Sequence, residues 1–231
     1  MDKDLMWKFI KMLESHEAFL REQGWVITDP YSPAWWGGAF TADEVVITAV
    51  LVQLTRWKRV EETLTVLREQ ALNDLPSMSR LDSSSVLRIL RHINFKERKL
   101  KSIKALAYLK KIKGDDILSN TSELIGIKGI GEETALAISL FAGNVPHIPI
   151  SKYVSIVGHR LLGDNFYEDL SEAVIGQEPQ RKLYILKMMY AGLTSLGKTF
   201  CKPSIKVEPM CRSCLFNRIC LYYNIRKNQQ S

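Results

Sequence analysis

The stretch from Leu124 to Ala142, LIGIKGIGEETALAISLFA, constrains the fold more than any other part of this 231-residue chain. Two apolar helical segments meet there at a tight turn, residues 127–131. Glycines two apart, Gly129 and Gly131, can adopt backbone angles closed to other residues and let a partner approach the main chain. Because a helix begins at Glu132, the amides of the turn face outward at the positive end of its dipole. The pattern predicts an anion site that suits a phosphate.

An ordinary helix-turn-helix corner is the alternative, because short glycine turns are common. The apolar Ile130 between the two glycines argues against it, since a plain solvent-exposed turn prefers Asn, Asp or Ser at such a position.

The rest of the chain predicts an all-α protein, because no alternating strand pattern, internal repeat or low-complexity tract occurs. A capping box at Thr41–Glu44 begins a nearly all-apolar central helix, Ser151 caps another helix, and residues 75–79 break the helical pattern. Helices are expected over residues 3–23, 45–54, 60–72, 81–92, 99–111, 152–162, 166–175 and 180–196. No signal peptide opens the sequence and no apolar run approaches the roughly eighteen residues of a membrane span, so we expect an intracellular protein of the cytoplasm or nucleoid.

The turn-rich connector from Asp29 to Gly38 carries adjacent tryptophans, Trp35 and Trp36. Since neighbours in sequence seldom bury together, one of them is expected to line a pocket. A loop plug over the core is the alternative.

The net charge of +7 is unevenly placed. Residues 88–113 carry ten Lys or Arg against Glu97 alone, and residues 181–231 carry ten against Glu208. Two basic blocks in an otherwise balanced chain favour a polyanionic partner, in particular nucleic acid, over solvated helix faces.

All four cysteines lie in the last thirty-one residues, with gaps of nine, two and five residues: Cys201, Cys211, Cys214 and Cys220. Such clustering in an intracellular basic protein indicates a metal centre rather than disulfides. Four thiolates suit zinc or an iron-sulfur cluster equally by ligand type. Zinc ribbons usually pair two short C-x2-C motifs, whereas only Cys211 and Cys214 are so paired here.

Together the hairpin, the Gln53–Thr55 segment and the four cysteines resemble the endonuclease III superfamily of helix-hairpin-helix DNA glycosylases, over nearly the whole chain. That family's cysteine gaps are six, two and five, so only the first gap differs here. Residues 33–36 (PAWW), 52–55 (VQLT), 128–134 (KGIGEET) and 152–153 (KY) look most like the 3-methyladenine glycosylase branch. The resemblance implies a [4Fe-4S] cluster, with zinc as the runner-up.

The resemblance also implies two helical domains with a DNA groove between them. One is a helical barrel, residues 29–135, that ends in the hairpin. The other joins residues 1–28 to residues 136–231 and carries the cluster loop.

Roles follow from the resemblance residue by residue. Gln53 matches a glutamine that fills the gap left by a flipped base, a step that costs a few kcal/mol. The expected DNA contacts are Gln53, Lys128, Gly129, Ile130, Gly131, Lys202, Lys206 and Arg212. The expected base pocket is Trp35, Trp36, Lys152 and Tyr153.

Two positions depart from the family. Bifunctional members carry a lysine nucleophile where this chain has Glu133, and a carboxylate cannot form a Schiff base with the sugar. Active members carry an aspartate where this chain has Ser151, and a neutral hydroxyl cannot stabilise developing positive charge. Either Ser151 is an engineered replacement, or another acid such as Glu133 or Asp164 substitutes for it, or the protein binds DNA without cutting.

The expected function is therefore that of a monofunctional glycosylase acting as a monomer on a damaged base, such as an alkylated one, in duplex DNA. The alternative is a DNA-binding or damage-recognition protein on the same scaffold.

Overall fold

The computed structural model describes residues 3–202 and 207–229, and this part of the chain is all-α, as predicted. The first seven α-helices are α1 (Lys3–Ser15), α2 (Glu17–Glu22), α3 (Ala42–Leu51), α4 (Trp57–Glu69), α5 (Leu75–Arg80), α6 (Ser83–Ile89) and α7 (Lys96–Lys113). The others are α8 (Thr121–Ile125), α9 (Glu132–Phe141), α10 (Lys152–Leu162), α11 (Phe166–Val174), α12 (Pro179–Leu196) and α13 (Leu221–Gln229). Within these ranges, no helix is long and apolar enough to cross a membrane.

The chain divides into two compact units. The first unit joins Met1–Pro30 to Ile148–Ser231, and the second is Tyr31–His147. The boundary expected from the sequence lies between residues 135 and 136 instead. The two divisions differ because α9 continues without a break across those residues and packs on α3 and α8 of the second unit.

The second unit is built around α3, in which every residue except Ala42 is buried. The helix contacts α4, α7 and α9. The Thr41 hydroxyl accepts from the Glu44 amide at 3.2 Å, which is one half of the predicted capping box. In the other half, the Glu44 carboxylate accepts from the amide of Phe40, one residue earlier than predicted, at 2.6 Å.

In the first unit α1 packs against α11 and α12. A Cβ atom at Gly192 would lie 2.4 Å from Leu13 Cδ2, so the missing side chain permits the close approach of α12 to α1. The single helix expected over residues 3–23 is wrong in one respect, because the chain breaks at His16. The His16 ring nitrogen bonds back to the Met12 carbonyl at 2.7 Å, and the residue leaves the helical backbone conformation.

Residues 75–79, expected to interrupt the helical pattern, instead belong to α5. Asp74 caps this helix through the Ser77 amide, and Pro76 lies in the first turn, where its missing N–H leaves no helical bond unmade. The proline therefore begins a helix rather than ending one.

Candidate nucleic-acid interface

The hairpin turn between α8 and α9 needs glycine at one position only. Gly129 has φ +96°, and a Cβ atom there would lie 2.5 Å from the Ser102 hydroxyl. That hydroxyl in turn donates to the Lys128 carbonyl at 2.8 Å. Gly131 has φ −87° and open space around the position of a Cβ atom, so its backbone would accept other residues. The sequence suggested the same backbone freedom for both glycines, and this is wrong for Gly131.

Ile130 anchors the turn from inside. Its side chain is only 4% exposed, and its amide donates to the Ile127 carbonyl at 2.9 Å. Lys128 is exposed, and Gly131 offers no side chain to cap α9. The first amides of a helix have no partner within it, so this end of α9 suits an anion. Glu133 lies exposed in the same first turn.

Gln53 lies beside the hairpin, just after the end of α3. Its amide nitrogen donates to the Gly129 carbonyl at 3.2 Å and to the Thr134 hydroxyl at 3.0 Å. Two motifs that lie 76 and 81 residues apart in the sequence at these contacts are therefore joined by hydrogen bonds.

Next to Gln53 the structure presents two exposed apolar side chains, of which only Leu54 lies in a segment that the sequence singled out. Leu54 is 79% exposed at φ +52°, and Phe95 is 62% exposed at φ +55°. Asn94 links them, because its side-chain amide donates to the Leu54 carbonyl at 2.5 Å and its backbone amide donates to the Thr55 hydroxyl at 3.3 Å. A non-glycine residue in this conformation costs about 1–3 kcal/mol, and such strain is concentrated at functional sites. In the sequence, polar residues follow the apolar run of α3 at Gln53, and this change is a local signal of a surface at that point.

Arg98 is a second residue that the sequence analysis did not single out. It is exposed, and its Nε atom lies 3.6 Å from the position of a Cβ atom at Gly129. Arg98 belongs to the first basic block, but several members of that block are engaged elsewhere. Lys110 pairs with Asp43, and Lys113 pairs with Glu123.

Both tryptophans of the connector are buried, Trp35 at 0% and Trp36 at 7% exposure. Trp36 packs edge-on to Trp57, with ring centroids 6.3 Å apart, and against Phe141 at 5.0 Å. The expectation that sequence neighbours seldom bury together is wrong here, and the arrangement agrees with a plug over the core. A base-pocket role for these two residues stays a prediction.

Ser151 caps α10, as predicted. It is 4% exposed, and its hydroxyl accepts from the Val154 amide at 3.1 Å. The following Lys152 is exposed, whereas Tyr153 is half-buried. A Cβ atom at Gly197 would lie 2.4 Å from the Tyr153 ring, so Tyr153 packs on the end of α12.

All four cysteines line a single cavity, together with apolar residues that include Leu161 and Phe200. Cys201 ends a turn of π-helix that continues α12. Burial, reinforced by the neighbouring thiols, raises the pKa of Cys214 to about 11. The guanidinium of Arg160 donates to the Cys201 sulfur at 3.3 Å and to its carbonyl at 3.1 Å.

Four thiols around one cavity form the donor set that an iron-sulfur cluster takes. In residues 3–202 and 207–229, no group of three His, Cys, Asp or Glu side chains is arranged to hold a metal ion, so the geometry alone assigns none. Lys202 is half-buried with φ +45°, and Arg212 is exposed. Lys206 lies outside the described residues.

Comparison with known proteins gave no matching family model. The chain is 26% identical over 208 residues, 85% of its length and 93% of the relative's, to the protein named Putative DNA repair glycosylase MJ1434 from Methanocaldococcus jannaschii. Among solved structures it resembles H. pylori 3-methyladenine DNA glycosylase (MagIII) bound to 1,N6-ethenoadenine. That match has a TM-score of 0.65 and 20% identity, and covers 84% of this chain and 97% of the other.

It also resembles a non-covalent endonuclease III–DNA complex, with a TM-score of 0.67 and 16% identity over 99% of both chains.

Proposed function

We propose that this chain, which has the fold of the helix-hairpin-helix DNA glycosylases, is itself a DNA glycosylase of base-excision repair. It would hydrolyse the N-glycosidic bond of a damaged, alkylated base that is flipped out of duplex DNA. The observation that carries the proposal is the direct hydrogen bonding of Gln53 to the hairpin at Gly129 and Thr134. These bonds fix the position of Gln53, which would fill the gap in the duplex, relative to the hairpin, which would hold the DNA backbone.

The hairpin would hold one phosphate of the lesion strand. The outward amides at the start of α9, with Lys128 and Arg98 beside them, supply hydrogen bonds and positive charge without reading sequence. From that anchor Gln53 would occupy the gap in the stack. The exposed Leu54 and Phe95 would press apolar surface against the neighbouring bases, as apolar wedges do when they unstack a base step.

Reaction type follows from the two departures from the family. Glu133 offers no amine at the hairpin helix, so the enzyme would release the base without cleaving the sugar-phosphate backbone. At position 151 a hydroxyl, already engaged as a helix cap, would stand near the sugar. Because it carries no charge, the rate of base release should be low.

A second function is favoured by the same residue. Ser151 is neutral, buried and committed to the Val154 amide, which is what a purely structural cap requires. A protein with an intact hairpin and Gln53 but no acid at this position would bind and mark a lesion without removing it.

The deciding experiment compares the wild type with Ser151→Asp and Ser151→Asn on duplexes carrying a panel of alkylated and deaminated bases. Asp and Asn both cap helices well, so neither should disturb α10, and only Asp adds charge. For a glycosylase scaffold, single-turnover base release should rise on the order of a hundredfold in Ser151→Asp and remain unchanged in Ser151→Asn.

No base release by any variant, with tight and lesion-selective binding by all three, would establish the binding function instead. If Glu133→Gln abolishes release while Ser151→Asp has no effect, the acid lies on α9.

For the four cysteines we propose a [4Fe-4S] cluster held by Cys201, Cys211, Cys214 and Cys220, with zinc as the alternative. When bound, such a centre would chiefly fold the loop around it, since metal binding and loop folding are coupled. The exposed Arg212 and the half-buried Lys202 would then lie in an ordered loop from which to contact phosphates. We further propose that the protein acts as a monomer on lesion-containing duplex DNA inside the cell.

A further inference from the structure

We propose that Lys99 is a positioning residue whose buried ammonium fixes the Val52–Thr55 turn, so that Gln53 and Leu54 meet DNA in a preformed conformation. The inference rests on the proposed function, because it concerns how that function's base-flipping residues are held.

Lys99 is 3% exposed, although it lies on the most basic helix of the chain, α7. Its ammonium donates to the Leu51 carbonyl at 2.8 Å, the Gln53 carbonyl at 2.5 Å and the Thr55 hydroxyl at 2.9 Å. A lysine ammonium has three N–H donors, and all three are used at the end of α3 and in the turn that follows it.

The contacts meet a specific need of the turn. The last carbonyls of a helix lack partners within it and carry partial negative charge, and here α3 ends inside the unit. Lys99 supplies hydrogen bonds and an opposing charge at that point. Burying the ammonium removes it from water, and this desolvation lowers the pKa of Lys99 to about 8. An apolar side chain of the same length would avoid that cost but could not bind the carbonyls.

The turn held in this way is the strained one. Leu54 sits in the left-handed region with its side chain in solvent, so its own packing does not hold it there. Asn94 binds the Leu54 carbonyl from one side, and Lys99 binds the residues before and after Leu54. Without the clamp, Leu54 can relax to negative φ, which swings its side chain away and shifts the neighbouring Gln53.

The test uses Lys99→Met, which keeps length and removes charge, beside Lys99→Arg, which keeps the charge. Each variant binds a duplex that carries 2-aminopurine next to a stable abasic-site analogue, and the fluorescence rise reports unstacking. Lys99→Met should lower the unstacking equilibrium constant on the order of tenfold, the effect of leaving buried acceptors unsatisfied. Lys99→Arg should recover part of it, and affinity for undamaged duplex should be unchanged in both.

A double-mutant cycle with Leu54→Ala separates positioning from general stability. If Lys99 acts through the turn, the double variant should lose less unstacking than the sum of the losses of Lys99→Met and Leu54→Ala. Should Lys99→Met fail to fold, Thr55→Val takes its place in the fluorescence measurement and in the double-mutant cycle. This variant removes one of the three acceptors of the Lys99 ammonium.

Additive losses, or a lower melting temperature with unaltered unstacking, would overturn the positioning role and leave the proposed function standing. An absence of fluorescence change in the wild type on every lesion duplex would overturn the proposed function, and this inference with it.

Discussion

Glu44 is a fully buried carboxylate that joins three segments of the second unit. It accepts from the Phe40 amide, from Asn73 at 2.8 Å, and from the Arg68 guanidinium at 2.5 and 2.9 Å. Its side chain is 0% exposed, and that of Arg68 is 27% exposed. Replacing Glu44 by Gln should therefore lower the free energy of unfolding by about 3 kcal/mol, because it leaves Arg68 partly buried without a counter-charge. Denaturant unfolding at pH 7 measures this.

The same pair gives a pH dependence. Burial opposes ionisation of Glu44, but the hydrogen bonds from Arg68, Phe40 and Asn73 outweigh it and lower the pKa of the carboxyl. The contribution to stability is thus fully present above the ordinary glutamate pKa and is lost as pH falls through the lowered folded-state pKa. Glu44→Gln should remove this part of the acid sensitivity, so equal acid curves for both proteins would contradict the assignment.

At the scale of the element, the two glycines of the hairpin turn differ: Gly129 is required by the backbone, whereas Gly131 leaves space at the start of α9. Gly129→Ala should lower stability by about 2 kcal/mol, because φ +96° is strained for any side chain and the new Cβ meets Ser102. Gly131→Ala should change stability by less than about 0.5 kcal/mol, since open space surrounds its Cβ position.

DNA affinity provides the second measurement of this pair. If a phosphate sits against the start of α9, Gly131→Val should weaken binding to all duplexes by on the order of tenfold, the scale of one lost charge-assisted hydrogen bond. Fluorescence anisotropy at constant ionic strength measures it, because phosphate contacts depend steeply on salt. An unaltered dissociation constant in the folded variant would remove the hairpin from the interface.

The loop that carries Cys201, Cys211, Cys214 and Cys220 is the second element that can be tested, through its metal content. Protein purified without oxygen should be brown and contain about four irons and four sulfides per chain if the proposed cluster is present. Cys214→Ala should lose this metal and expose the loop to proteases while α1–α9 keep their helical signal, since the loop depends on the centre for its folding. Stoichiometric zinc without visible absorption would decide for the alternative centre.

The sequence predicted the helical elements well where their ends depend on local chemistry. The Ser151 cap and the bounds of α10 are confirmed because a capping hydroxyl and the amide three residues later belong to one short segment. Gly129 and Gly131 could not be told apart, since the positive φ of Gly129 and its close contact with Ser102 on α7 are set by the fold and not by the local sequence. The hydrogen bond from Lys99 to the Leu51 carbonyl could not be predicted either, because the two residues lie 48 positions apart in the sequence.

At the scale of the whole molecule, the two basic blocks overstate the charge that is available at the surface. Lys187 in the second block is 0% exposed and donates to the Pro30 carbonyl at 2.7 Å. Burial lowers its pKa to about 7. Lys99 is likewise internal to the first block. A count of cations along the sequence therefore predicts a stronger field than the folded chain presents to a polyanion.

The division of the chain also sets an order of events during synthesis. The second unit, Tyr31–His147, is continuous in sequence, whereas the first is completed only by residues after 148. Helix α1 ends at Ser15, and its partner α11 begins at Phe166. At 5–20 residues per second the ribosome needs roughly ten to thirty seconds to make the intervening chain. Throughout that time Phe9 and Leu13, which end fully buried, lack α11 and α12 to pack against, so the apolar face of α1 is open to chaperones.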